Sequence, residues 1–144
     1  MKKMIKRLRC QKGVAAVEFA IILPVLLLII FGIIEFGLLL YDKQVITNAS
    51  REGARVGIVV GATKVSDADI LDVMDRYIAN HLVTFGTTPS LDITICPGLN
   101  CDPSEDRAGM RFGDELTVTV TYDYGFLVLP GVQTLVAQTV MRME

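Results

Sequence analysis

The chain has 144 residues, 51% of them apolar, a formal net charge of −2, three cysteines and a single histidine. That length supports one modest folded core beside any membrane segment. The charge is divided: residues 1–13 carry six basic side chains and no acid, and the remainder carries all 16 acids against eight bases. Because the basic block abuts an apolar run, the division reads as membrane topology and excludes nucleic acid as the partner.

From Val14 to Leu40 the only charged residues are Glu18 and Glu35. As a helix this segment reaches about 40 Å, enough to cross a hydrocarbon core of about 30 Å. A cleaved secretory signal has a shorter apolar core followed by a small-x-small site, whereas here "YDKQ" follows, so the segment is expected to stay in the membrane. Lys2, Lys3, Lys6, Arg7, Arg9 and Lys12 precede it and Asp42 and Lys43 follow, which predicts the N-terminus inside and the body outside. Pro24 lies within the span and reads either as a tolerated kink or as a packing feature. Glu18 is expected near the inner interface. Glu35, about 25 Å further along, is expected near the outer one, either at headgroup level or against a partner subunit.

Residues 41–60 continue as helix, with Ile46, Ala49, Gly53, Val56 and Gly57 on one face and Arg51, Glu52 and Arg55 elsewhere. After a break at 61–65, Ser66 or Asp67 caps a second helix over about 67–84, with Gly86 as its stop. Its stripe of Ile70, Met74, Tyr77, Ile78 and Leu82 reads as core, and His81 as an ordinary helix residue. Strands are predicted over 91–95, 115–124 and 134–143 from period-two alternation. Cys96 and Cys101 bracket "CPGLNC", and a disulfide closing that short loop is the economical reading on an oxidising side, while Cys10 lies on the reducing side. The loop 102–115 reads as solvated. Asp102, Ser104 and Asp106 alternate as calcium ligands do, but Arg107 and Gly113 stand where an EF-hand needs glycine and glutamate. The expected fold is α+β: a long N-terminal membrane helix continuing into a small head with a second helix and a roughly three-stranded antiparallel sheet.

One stretch carries a resemblance. Gly13 is followed after four residues by Glu18 and Phe19, and "AAVEFAIILPVLLLIIFGIIEFG" leads to "ITNASREGARVG". This resembles the TadE-like pseudopilins of tight-adherence (Flp, type IV) pilus systems, through the processing site, Pro24, the Glu35-Phe36-Gly37 triplet and the Arg51-Glu52-Gly53-Ala54-Arg55 block. The resemblance is dense over residues 13–57 and general elsewhere. It implies a leader of residues 1–13 removed by a prepilin peptidase between Gly13 and Val14, a membrane helix over 14–40 and an extracytoplasmic pilin-like domain over 41–144. It implies further pseudopilins and an inner-membrane assembly platform as partners, with the membrane lipid itself. It makes Glu18 the fifth residue of a mature chain, there to pair with a neighbour's amino terminus or to be recognised by the assembly machinery.

The expected function is therefore a minor, non-enzymatic assembly protein of such a pilus, anchored once in the inner membrane and serving adhesion or secretion. The alternative is a membrane-anchored extracytoplasmic binding or sensory domain. No nucleophile–base pair, metal-ligand cluster or phosphate loop is legible, so neither catalytic residues nor a cofactor or metal are expected.

Overall fold

The computed structural model describes residues 11–59, 65–84, 90–99, 107–128 and 130–143. It opens with one unbroken helix, α1, Gln11–Gly57, about 70 Å long at about 1.5 Å per residue. α1 passes through Pro24 without ending, and it carries the predicted 41–60 helix to Gly57.

α1 has two physical halves. Over residues 13–34 nearly every side chain is exposed, with only Leu23 and Gly32 half-buried. This half contains the apolar run, whose best window has a mean hydropathy of 2.9 and none of its residues buried. α1 is thus long and apolar enough to cross a membrane, and it fits a single-pass anchor. From Glu35 onward a stripe turns inward: Glu35, Asp42, Val45, Ile46, Ala49, Ser50, Gly53, Ala54 and Gly57 are all buried. Their spacing of three, four and seven residues keeps them on one face.

The second helix, α2, Asp67–His81, starts at a capping box in which Ser66 and Asp69 satisfy each other's backbone N–H groups. It buries Ile70, Met74 and Ile78 and stops at His81, short of the predicted end at Thr84. The reason is a competing acceptor. Leu82 turns extended while its N–H still reaches the Ile78 carbonyl, and the next N–H, Val83, donates to Asp42 Oδ1 of α1 at 3.1 Å. Gly86, the predicted stop, lies outside the described residues. His81 stays exposed, its ring stacked on Tyr77 at 4.5 Å.

Three antiparallel strands follow in the order β1-β2-β3: β1, Leu91–Pro97; β2, Glu115–Gly125; and β3, Val132–Arg142. All three predicted strands form. β1 runs on through Cys96 and Pro97, and β3 starts two residues earlier than predicted. The register pairs Val120 with both Ile93 and Ala137, and Tyr122 with Leu91 and Leu135. Period-two alternation sends Leu116, Val118, Val120, Tyr122 and Tyr124 of β2 to the helical side, where they meet Ile46, Ala49, Ile70 and Met74. The head is therefore one helical layer, made of α1's upper half and α2, on one sheet face, which is the predicted α+β plan.

Glycine matters structurally where α1 meets this core. A Cβ on Gly57 would lie 2.5 Å from Leu116 Cδ2 and 2.9 Å from Ile70 Cδ1, and one on Gly53 would run into Met74. Small residues on this face let α1 sit close against both α2 and β2.

The loop before β2 departs from its solvated reading. Arg107, in a single 3-10 turn at Arg107–Gly109, is buried, forms an ion pair with Asp67 at the start of α2 and donates to the Val65 carbonyl at 3.3 Å. Met110 is buried as well. Asp102, Ser104 and Asp106, which alternate as calcium ligands do, lie outside the described residues. Among the described residues no cluster of three His, Cys, Asp or Glu side chains is placed to hold a metal.

Candidate functional site

The sequence-predicted residues do not converge on a pocket; they are strung along α1 in three groups. Gly13, Val14, Glu18 and Phe19 are all exposed, and a Cβ added to Gly13 would meet nothing within 4 Å among the described residues. Glu35, Phe36 and Gly37 lie about 25 Å further along the axis, and Arg51–Arg55 about 50 Å from Glu18. At these separations no group at one end of α1 can act together with one at the other.

The middle group is where the structure adds most. Glu35 is only 3% exposed although it sits on an otherwise apolar helix. Its carboxylate accepts the backbone N–H groups of Leu127 and Val128, in the turn between β2 and β3. Val128 N–H lies 3.1 Å from Oε1 and 3.3 Å from Oε2. The sequence offers Glu35 a headgroup or a partner subunit; within this chain it clasps the head's own hairpin turn. Phe36 and Gly37, its neighbours in the motif, face outward.

Two turns further on, Asp42 repeats the arrangement. It is fully buried and accepts from Val83 N–H, so it fastens the exit of α2 as Glu35 fastens the hairpin. Lys43 donates to the Val136 carbonyl of β3, and the Ser50 and Thr139 hydroxyls are 2.7 Å apart. Around the two carboxylates stand two tyrosines. Tyr122 is pushed up to about 12, chiefly by burial and then by the nearby Asp42 carboxylate and Tyr124. Tyr124 is raised too, by burial first and then by Asp42 and Glu35. Both therefore stay neutral phenols beside the acids. Asp42 Oδ2 and the Tyr124 hydroxyl are buried without a hydrogen-bond partner among the described residues.

Sequence reasoning does not single out Asp42 or Tyr124. The available signal is spacing: Asp42 is seven residues from Glu35, hence on the same helical face, and Tyr124 continues the inward alternation of β2. In the third group Gly53 and Ala54 are buried in the packing face, while Arg51 and Arg55 are exposed. Arg55 pairs with Glu52 at 2.8 Å. These charged side chains lie on the side of α1 turned away from the head.

Cys96 is fully buried at the end of β1, next to the Pro97–Gly98 turn whose Gly98 carbonyl accepts from Thr117 Oγ1. Cys101 lies outside the described residues.

A search of curated proteins and a search of solved structures returned no match to this chain. The family described as TadE-like protein matches residues 13–55. That interval begins at the glycine of the proposed processing site and ends at the last residue of the Arg51–Arg55 block, and it covers α1 almost entirely. The head beyond Gly57 lies outside it. Over that interval the long helix of this chain is similar to the TadE-like family.

Proposed function

We propose that the protein is a non-enzymatic pseudopilin-like subunit that supports assembly of a tight-adherence pilus after a prepilin peptidase cuts between Gly13 and Val14. The reading is carried by one observation: the TadE-like match over residues 13–55 coincides with a helix whose Gly13–Glu18 end is bare. A glycine with open space around it gives a peptidase access to its peptide bond without a side chain in the way. Cleavage creates an ammonium on Val14, one helical turn from Glu18, and an exposed carboxylate there is free to pair with the same ammonium on a neighbouring subunit. Positive residues before the span favour the inner membrane with the N-terminus cytoplasmic and the head outside. Other pseudopilins and the assembly platform are its partners in this reading. On that oxidising side Cys96 pairs with Cys101 in this reading, which is supported by the short spacing of the two across "CPGLNC".

Intact-mass measurement of the protein from native membranes tests the processing. The expected chain starts at Val14; one that starts at Met1 in cells with an active prepilin peptidase overturns the reading. A Glu18→Ala variant that is cut and still supports pilus assembly removes the assembly role of that carboxylate and leaves the cleavage standing.

A further inference from the structure

We propose that the β2–β3 turn is a second membrane contact. Its apolar tip, Leu127 and Val128, lies in the lipid leaflet nearer the head, beside α1, and Glu35 makes this possible by accepting the tip's backbone N–H groups. The inference rests on reading α1 as a membrane helix.

Three observations carry it. First, the tip is apolar and exposed: the sequence from Phe126 to Gly131 holds no charged residue, and Leu127 and Val128 are 62% and 50% exposed. Side chains of this kind at a hairpin tip lose free energy in water unless something apolar covers them. Second, the tip lies alongside the apolar run of α1. It meets α1 at Glu35, flanked by the exposed Phe31 and Ile34, while on the helix's other side exposed apolar residues continue to Phe36 and Leu40. Leu40 lies about 8 Å further toward the head than Glu35. If lipid bathes Leu40, it reaches the tip as well.

Third, the polar accounting fits. Irregular backbone is excluded from lipid because each unsatisfied N–H costs several kcal/mol. Here the N–H groups of Leu127 and Val128 point at the Glu35 carboxylate. An acid in an apolar helix and an apolar loop with free donors are each costly in a bilayer; joined, each lowers the other's penalty. Lipid is favoured over a second copy of the chain because the tip is continuous with the bare apolar surface of α1, all of which needs the same cover.

The chain has no tryptophan, so single indoles report without background. The full chain is reconstituted into phosphatidylcholine vesicles with and without bromine on the acyl chains, as Leu127→Trp, Ile22→Trp or Phe112→Trp. Ile22 is exposed in the apolar run, and Phe112 is 79% exposed in the turn at the far end of β2. The expected result is bromine quenching of Leu127→Trp comparable to that of Ile22→Trp, with Phe112→Trp unquenched.

A blue-shifted but unquenched Leu127→Trp means that protein covers the tip, and a red-shifted, unquenched one means that water does; either overturns the proposal. An unquenched Ile22→Trp defeats the membrane-helix reading itself, and the proposal with it. Adding Glu35→Leu to Leu127→Trp is expected to abolish the quenching while the same change leaves Ile22→Trp quenched. Glu35→Gln, which keeps an acceptor oxygen, retains it and guards against a merely unfolded head. Quenching that survives Glu35→Leu overturns the role assigned to Glu35.

Discussion

Glu35 and Val128 are 93 residues apart in the chain, yet the Val128 N–H reaches both oxygens of the Glu35 carboxylate, at 3.1 and 3.3 Å. Asp42 repeats the contact with the Val83 N–H two helical turns away. The head is thus tied to its stalk by two acids on one face of α1, each holding the backbone of a different connecting segment. Backbone donors held this way fix position without depending on which side chain the loop carries. They make the orientation of the head on the helix a property of α1.

Removing the first tie should therefore cost stability in the head. Glu35→Ala leaves two N–H groups without their acceptor, and an unsatisfied buried donor costs about 1–3 kcal/mol. The expected loss is about 2–4 kcal/mol, read from denaturant unfolding of the full chain in detergent micelles. Glu35→Gln should lose less than half of that, because one carbonyl oxygen remains. Equal losses for the two variants would show that the charge, and not the acceptor geometry, holds the turn.

The close approach of α1 to the sheet makes an opposite pair of predictions for two glycines of the same helix. Gly57→Ala places a methyl 2.5 Å from Leu116 Cδ2 and 2.9 Å from Ile70 Cδ1 and should destabilise the head by about 1–3 kcal/mol. Gly37→Ala meets nothing within 4 Å and should be neutral or stabilising by up to about 1 kcal/mol, since alanine is the better helix former. The same unfolding measurement decides both.

Tyr122 supplies a pH dependence whose sign is fixed. Its phenol is pushed from 10.0 up to about 12 in the folded head, chiefly by burial and then by Asp42 and Tyr124. Well below pH 10 the phenol is protonated in both states and the contribution is complete. As pH rises toward 12 the unfolded chain ionises first, so stability falls across that window. Unfolding midpoints measured from pH 9 to 12 should drop, and Tyr122→Phe should flatten part of the slope.

The cap of α2 gives a prediction confined to one turn. Ser66 accepts from the Asp69 N–H, and the Asp69 carboxylate reaches back to the Ser66 N–H at 3.3 Å. Ser66→Ala should cost about 1 kcal/mol, and Asp69→Ala a similar amount. The double variant should cost less than the sum, because the two hydrogen bonds close one reciprocal box. Additive losses would mean that the two bonds act independently.

What the sequence makes legible is what periodicity controls. The apolar run, the Ile70-Met74-Ile78 stripe and the alternation of β2 place α1, α2 and the sheet, and they do so within a few residues. The misses come from long-range polar pairing, which no local pattern reports. The end of α2 at His81 depends on Asp42 capturing the Val83 N–H. The burial of Arg107 depends on Asp67, 40 residues earlier. Glu35 is visible in the sequence as an oddity, but its partner is a backbone turn, and backbone donors have no sequence signature. The TadE-like motif, for its part, covers the helix and says nothing of the head.

Tyr124 joins the helix ties to the hairpin, and it separates packing from polarity. Its ring meets Tyr122 and Phe126 edge-on, at centroid distances of 6.4 and 5.4 Å, and Phe126 leads directly into the turn held by Glu35. Its hydroxyl is buried with no hydrogen-bond partner among the described residues and faces two carboxylates at longer range. A buried hydroxyl in that position is a cost, so Tyr124→Phe should be neutral or stabilising, within about 1 kcal/mol. Tyr124→Ala removes the ring and leaves a cavity, and should cost about 3–5 kcal/mol. Unfolding of the two variants under one condition tests the pair. A loss for Tyr124→Phe approaching that of Tyr124→Ala would show that the hydroxyl has a partner in solution, and Asp42, whose Oδ2 is likewise buried without a partner among the described residues, is the residue to replace next.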